Sequence, residues 1–206
     1  MSEHNILGAI LAGGKSQRMG KDKLFLELNN KMLIDHTVDK VKKYLKNTII
    51  ITNQENKYFS EKNLTTVKDC IGGQLGPLVG ILTAMKWAKE NLNECSWVAT
   101  FPCDTPFFPE TIIEKFIEKS KKKDSLLLCA SSHGRKHNIF GLWSLKLYEK
   151  LQDDLINNKI RKVQDWTEKH KITNVEFKFE KYDPFFNINT LDDLEAAKKI
   201  IKNEKK

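Results

Sequence analysis

Two stretches of this 206-residue chain gather residue types able to do chemistry on phosphate. The first, ILAGGKSQRMGKDK at residues 10–23, ends an apolar run in Gly13 and Gly14 and then carries Lys15, Arg18, Gly20, Lys21 and Lys23. Glycine lets the backbone approach a ligand closely and turn its N–H groups towards it. The four cations supply charge enough for a polyphosphate. On glycine spacing alone, a strand-to-helix turn with solvated lysines is an equal reading. GGxxxxxG is neither the P-loop GxxxxGK[ST] nor the dinucleotide fingerprint GxGxxG. The second stretch, FPCDTPF at 101–107, sets Asp104 straight after an apolar strand, between two prolines. Facing a basic phosphate loop, that carboxylate suits a Mg²⁺ ligand bridging protein and phosphate oxygens. The bland alternative is a turn, which Asp often opens beside proline.

Further polar residues fall where strands end. Asn53 follows TIIIT and Asp69 follows TTVK, each also fit for a turn or a helix cap. Gly72, Gly73, Gly76 and Gly80 crowd GGQLGPLVG, so two short stretches hold seven of the ten glycines. In FFNINT, Asn187 and Asn189 take alternate positions of an extended segment and so share a face. Thr190 with Asp193 reads as a capping-box-like helix start, which explains Thr190 and leaves the asparagines free to bind a ligand or stitch two loops. Arg135, Lys136 and His137 form a basic loop before an apolar run, either exposed or placed to bind an anion.

Alternating strands and helices must position these residues. Residues 6–12 read as a strand buried on both faces, and 48–52, 64–67, 97–101, 125–130 and 173–179 as further strands. Residues 31–46 read as a helix with Ile34, Val38, Val41 and Leu45 along one stripe. Other helices are expected at 78–91, from Pro109, near 145–157, near 161–170 and from 191. That alternation predicts an α/β fold, a three-layer, doubly wound and mostly parallel sheet, whose ligands lie beyond the carboxyl ends of the strands. No repeat or linker divides residues 1–206, which read as a single domain.

With 40% hydrophobic and 30% charged residues, the composition is that of a globular protein. No apolar run approaches the roughly 18 residues of a membrane span, and the N-terminus lacks a signal-peptide pattern. The expectation is a cytoplasmic protein without a membrane partner. The net charge of +8 comes from lysines spread along the chain, without interleaved aromatics. That argues against a nucleic-acid stripe and suits an anionic small substrate. Only three of the 35 basic residues are arginine, Arg18, Arg135 and Arg161, a hint of positions needing a planar fork. The four cysteines (Cys70, Cys95, Cys103, Cys129) show no CxxC pair and are expected as reduced, mostly buried thiols.

Taken together, the chain resembles the molybdenum cofactor guanylyltransferases among the nucleotidyltransferases. The matching pieces are LAGGKSQRMGKDK (11–23), TNQE (52–55), VKD (67–69), GPLVG (76–80), PCDTPF (102–107), RKHNIFGLW (135–143) and FNINT (186–190). Asn138 stands where the family usually has proline after the histidine. The resemblance implies a Rossmann-like nucleotidyltransferase fold that binds GTP with Mg²⁺ and transfers GMP to the phosphate of Mo-molybdopterin, releasing pyrophosphate. It implies GTP contacts at Leu11, Ala12, Gly13, Gly14, Lys23, Asn53, Asp69, Gly76 and Asp104, with Asp104 on the metal and Arg18, Lys23 and Asp104 catalytic. Arg135, His137, Asn187 and Asn189 would face molybdopterin, so the N-terminal half would bind nucleotide and the C-terminal half molybdopterin. Molybdopterin-insertion proteins and chaperones of molybdenum enzymes are the implied protein partners. Competing readings are a cytidylyltransferase acting on molybdopterin or on a sugar or polyol phosphate, and a non-catalytic nucleotide-binding molybdopterin carrier.

Overall fold

The computed structural model describes residues 5–13, 23–73, 75–121 and 125–204. Gly14 and Arg18 therefore lie outside the described residues. Along the chain the elements are β1 (Ile6–Leu11), β2 (Glu27–Leu28), β3 (Lys31–Met32), α1 (Leu33–Tyr44), β4 (Thr48–Ile51), α2 (Lys57–Glu61), β5 (Thr66–Val67) and α3 (Pro77–Asn91). They continue as β6 (Trp97–Pro102), α4 (Ile112–Ser120), β7 (Leu127–Ser132), β8 (Arg135–Ser144), α5 (Tyr148–Ile156), α6 (Val163–Glu168), β9 (Thr173–Glu176) and α7 (Leu191–Glu204).

β1 has no polar residue, so it suits a central position covered on both faces, and all of it is buried. It pairs in parallel with β4 on one side and β6 on the other. Among the described residues the sheet has seven strands in the order β5-β4-β1-β6-β8-β7-β9. β8 runs antiparallel to both its neighbours, while β9 is parallel to β7. Six strands thus share one direction, as the alternating pattern predicts.

Alternate residues of β1 point to opposite faces. Ile6 and Ile10 pack with Ile34 and Val38 of α1 and Phe116 of α4. Leu7, Ala9 and Leu11 pack with α3, α5 and α6 through Leu82, Leu151 and Trp166. Helices therefore cover both faces, giving three layers. Burying each such side chain contributes about 1.5–3 kcal/mol relative to exposure. No helix among the described residues is long and apolar enough to cross a membrane.

Three expectations need correction. Residues 31–32 belong to a two-stranded hairpin, β2–β3, whose turn holds Asn29 and Asn30 at φ 54° and 59°. Asparagine tolerates that backbone better than most residues, and the helix begins only at Leu33. Arg135, Lys136 and His137 are not loop residues. They open β8, opposite Ser132, Ser131 and Ala130 of β7, and the turn is made by His133 and Gly134. Of the four free thiols, Cys103 and Cys129 are buried, whereas Cys95 is half-buried and Cys70 exposed.

Candidate functional site

Strands β1, β4, β5 and β6 end at one edge of the sheet, and two adjoining cavities open there. Ala12 N–H donates to Ile51 O (2.9 Å) and Thr52 N–H to Val67 O (3.0 Å). These bonds carry the ladder one residue past each strand, so the residues that follow are set at the edge. The first cavity, about 320 Å³, lies between Leu11–Gly13, Thr52–Gln54, Asp69 and the start of α3. Asn53 Nδ2 donates to Asp69 Oδ2 (2.7 Å), and Asp69 N–H donates to Asn53 Oδ1 (2.9 Å). An ionised carboxylate only accepts, so these two bonds fix which way the amide points. Gly76 caps α3 at φ +86°, ψ −177°, a backbone region that essentially only glycine occupies. Pro77 takes the first turn, where its missing N–H costs nothing. Gly80 lies within α3 on its cavity side. A Cβ there would sit 3.2 Å from Leu11 Cδ2 and 3.9 Å from Asp69 Oδ1.

The second cavity, also about 320 Å³, shares Leu11, Gly13 and Pro77 with the first. Pro102–Asp104, the N-terminal part of β8 and Asn187 complete it. At this junction Lys23 Nζ donates to Asp104 Oδ2 (2.8 Å) and Asn189 Oδ1 (2.7 Å). Only 14% of the Lys23 side chain and 23% of the Asp104 side chain are exposed. The 187–189 segment is fastened here by Ile188 N–H, which donates to Asp104 O (2.8 Å). Ile188 is buried while Asn187 and Asn189 on either side of it are exposed, which fits their alternation in sequence. Asp193 and Thr190 cap α7 reciprocally. Asp193 Oδ2 accepts from the N–H groups of Asn189 and Thr190, and Thr190 Oγ1 accepts from Asp193 N–H. Those backbone bonds, the Asn189 N–H first, hold the Asp193 carboxyl below its usual range.

His137, half-buried in the wall of the second cavity, stacks on Phe185 with ring centroids 4.4 Å apart. Its Nε2 lies 2.7 Å from Ser132 Oγ, which donates in turn to Asp183 Oδ1 (3.2 Å). Burial pushes the imidazole pKa down and Arg135 adds to this, while Asp183 and Glu176 pull it up. The net direction is downward, which favours the uncharged imidazole. The positive charge of this wall comes from Arg135 and Lys136.

The donor set at Asp104 fits a hard divalent cation. Among the described residues no group of three or more His, Cys, Asp or Glu side chains gathers to hold a metal. An ion here would take one protein carboxylate and complete its shell with water and phosphate oxygens, the habit of Mg²⁺.

The fold thus gathers Leu11, Ala12, Gly13, Asn53, Asp69 and Gly76 around the first cavity. Asp104, Arg135, His137 and Asn187 line the second; Lys23 joins it through Asp104, and Asn189 through Lys23. Arg161 serves elsewhere, its Nη1 donating to the carbonyls of Leu155 and Ile160 (3.0 Å for the latter). Residue spacing gave no signal for Gln54, Pro77, Thr105, Ser132 or Asp183. Thr105 stands inside a quoted motif, but nothing in its spelling marks a buried hydroxyl.

Comparison with known proteins agrees with this geometry. The family described as "MobA-like NTP transferase domain" matches residues 8–172. A molybdenum cofactor guanylyltransferase of Mesorhizobium japonicum is 34% identical over 97% of this chain and 97% of its own length. Another, of Rhizobium rhizogenes, is 34% identical over 92% of this chain and 89% of its own. In fold, the chain is similar to the molybdopterin-guanine dinucleotide biosynthesis protein A of Archaeoglobus fulgidus. The TM-score is 0.71 at 22% identity, covering 95% of this chain and 98% of that one. With a family match that takes in β1, the Asp104 strand end and β8, the chain belongs to the MobA-like NTP transferases and is a nucleotidyltransferase enzyme.

Proposed function

We propose that this enzyme transfers GMP from GTP to the phosphate of Mo-molybdopterin, forming a molybdopterin guanine dinucleotide and releasing pyrophosphate. One observation carries the reading: two cavities share Leu11, Gly13 and Pro77, and the Lys23–Asp104 pair stands at the second cavity's edge. A nucleotide in the first and a phosphate monoester in the second would bring their phosphates together above the end of β1. The guanylyltransferase names of the relatives support guanine and molybdopterin as the two ligands.

In this reading the residues 1–206 act as one domain, with the nucleotide held by the N-terminal half and the acceptor by β8 and the 187–189 segment. Backbone N–H groups at and after Gly13 are assigned to phosphate oxygens from the glycine-spaced motif in the sequence. Asn53 and Asp69 lie around guanine and ribose, with their mutual hydrogen bonds fixing both side chains. An oxygen of the acceptor phosphate attacks the α-phosphorus of GTP in line, and the bond to the bridging oxygen of pyrophosphate breaks. Because a phosphate monoester is already ionised, no protein nucleophile or base is required. The obstacle is charge: one anion approaches another while negative charge builds on the leaving group. Lys23 meets it directly. Its ammonium has three donors and spends two on Asp104 and Asn189, leaving one for a phosphate oxygen. Arg18 is assigned to the same phosphates from its place in the sequence motif. Asp104 is the residue that would hold Mg²⁺, which supplies further positive charge against the phosphate oxygens when bound. Arg135, Lys136 and the donors of Asn187 and Asn189 receive the anionic acceptor.

Pyrophosphate release with Mo-molybdopterin and GTP tests the proposal. Turnover with GTP is expected. No turnover with any nucleotide would instead leave a binding protein.

A further inference from the structure

The Thr105 hydroxyl is the only hydroxyl among the described residues that touches both Asp104 and Asn187 side chains. Thr105 is fully buried, yet it belongs to neither ligand-facing wall. Its Oγ1 lies 2.6 Å from Asn187 Oδ1 and 3.2 Å from Asp104 Oδ1. Hydroxyl-to-oxygen bonds span about 2.5–3.0 Å, whereas bonds from an amide nitrogen are seldom shorter than about 2.7 Å. The closer contact is therefore Thr105 O–H donating to the Asn187 carbonyl oxygen. The amide nitrogen of Asn187 must then point the other way, as a donor. The same polarity holds at Asn189, because an ammonium such as Lys23 can only donate and so must meet the amide oxygen.

We propose that Thr105 is a positioning residue: its hydroxyl turns the Asn187 amide so that its N–H₂ group faces the acceptor cavity. The second cavity then presents donors from Asn187, Arg135 and Lys136 to a ligand rich in acceptor oxygens such as a phosphate ester. Without the hydroxyl the Asn187 amide could rotate, and its carbonyl would repel those oxygens. The inference rests on the nucleotidyl-transfer reading above.

Three variants test it with the full-length protein, GTP and Mo-molybdopterin: Thr105→Val, nearly isosteric and without the hydroxyl; Thr105→Ala, without it and without added bulk; and Thr105→Ser, which keeps it. Losing one hydrogen bond of this kind is worth about a factor of ten. In T105V and T105A the KM for Mo-molybdopterin should rise about tenfold while the KM for GTP stays within about twofold, and T105S should restore the acceptor KM to within about threefold. Equal KM values in wild type and T105V overturn the proposal. So does a parallel rise in both KM values that serine does not rescue. Misfolding of both hydroxyl-free variants with T105S intact would make the hydroxyl a folding determinant, which also overturns it. Absence of turnover in the wild-type protein is a separate outcome and defeats the transfer reading itself.

Discussion

The Lys23 ammonium sits 2.8 Å from Asp104 Oδ2, joining residues 81 positions apart in sequence. The contact exists because β6 pairs in parallel beside β1, which sets the two strand ends side by side. It couples Lys23, at the end of the basic motif, to the carboxylate after β6. Asn189 completes the arrangement from the far end of the chain.

Removing that ammonium should be felt in catalysis far more than in folding. Lys23→Ala is expected to lower pyrophosphate release by about a hundredfold or more, as loss of a charge-stabilising donor does. The stability cost should stay within about 1–3 kcal/mol, since the mostly buried Asp104 carboxylate loses its cation but keeps some contact with water. Lys23→Arg should recover only part of the rate, because a planar fork cannot reproduce a point charge with three donors. Steady-state rates and melting curves of both variants check this; K23A activity within a few-fold of wild type would remove Lys23 from the mechanism.

The reciprocal bonds between Asn53 and Asp69 should appear as coupling. Asn53→Ala and Asp69→Ala are each expected to raise the KM for GTP, and the double variant to be little worse than either. A double-mutant cycle should give about 1 kcal/mol of interaction, within the range for residues in contact. Simple additivity would show that each side chain meets the nucleotide independently.

Gly76 is held where other residues are strained. Gly76→Ala should cost about 1–3 kcal/mol. For a protein of this size that lowers Tm by about 2–4 °C per kcal/mol, which calorimetry can read. An unchanged Tm would mean that the cap before α3 relaxes freely.

Acid should destabilise the protein through its histidines. His36, His137 and His170 all have pKa values below 6.5, with burial the largest cause in each. The unfolded chain takes up these protons near pH 6.5 and the folded protein only at lower pH. Between the two the unfolded state binds more protons, so stability is full above about pH 6.5 and falls as pH drops through the folded values. Urea midpoints at pH 7.5, 6.5 and 5.5 should decrease in that order; a midpoint that rises on acidification contradicts the assignment.

Much of this could be read from residues alone because the signals were local. An all-apolar β1 announces a central strand, and an aspartate after a parallel β6 falls at the same sheet edge as Ala12 and Gly13 after β1. The antiparallel direction of β8 was not legible. Its basic start looks like a loop, since Arg135 and Lys136 are exposed at the edge of the sheet. Thr105 and Asp183 escaped for a different reason: their roles depend on contacts with residues 82 and 51 positions away, and no local pattern encodes such a meeting. The helix expected from residue 31 begins two residues later because Lys31 and Met32 pair with Leu28 and Glu27 in the β2–β3 hairpin, a pairing that the helical stripe from Ile34 onward does not encode.

The most direct test of the central claim is the nucleotide dependence of pyrophosphate release, measured with GTP, CTP and ATP in parallel in the presence of Mo-molybdopterin and Mg²⁺. The expected result is release with GTP that depends on Mo-molybdopterin and greatly exceeds that with CTP or ATP. A preference for CTP, or release with none of the three, would contradict it.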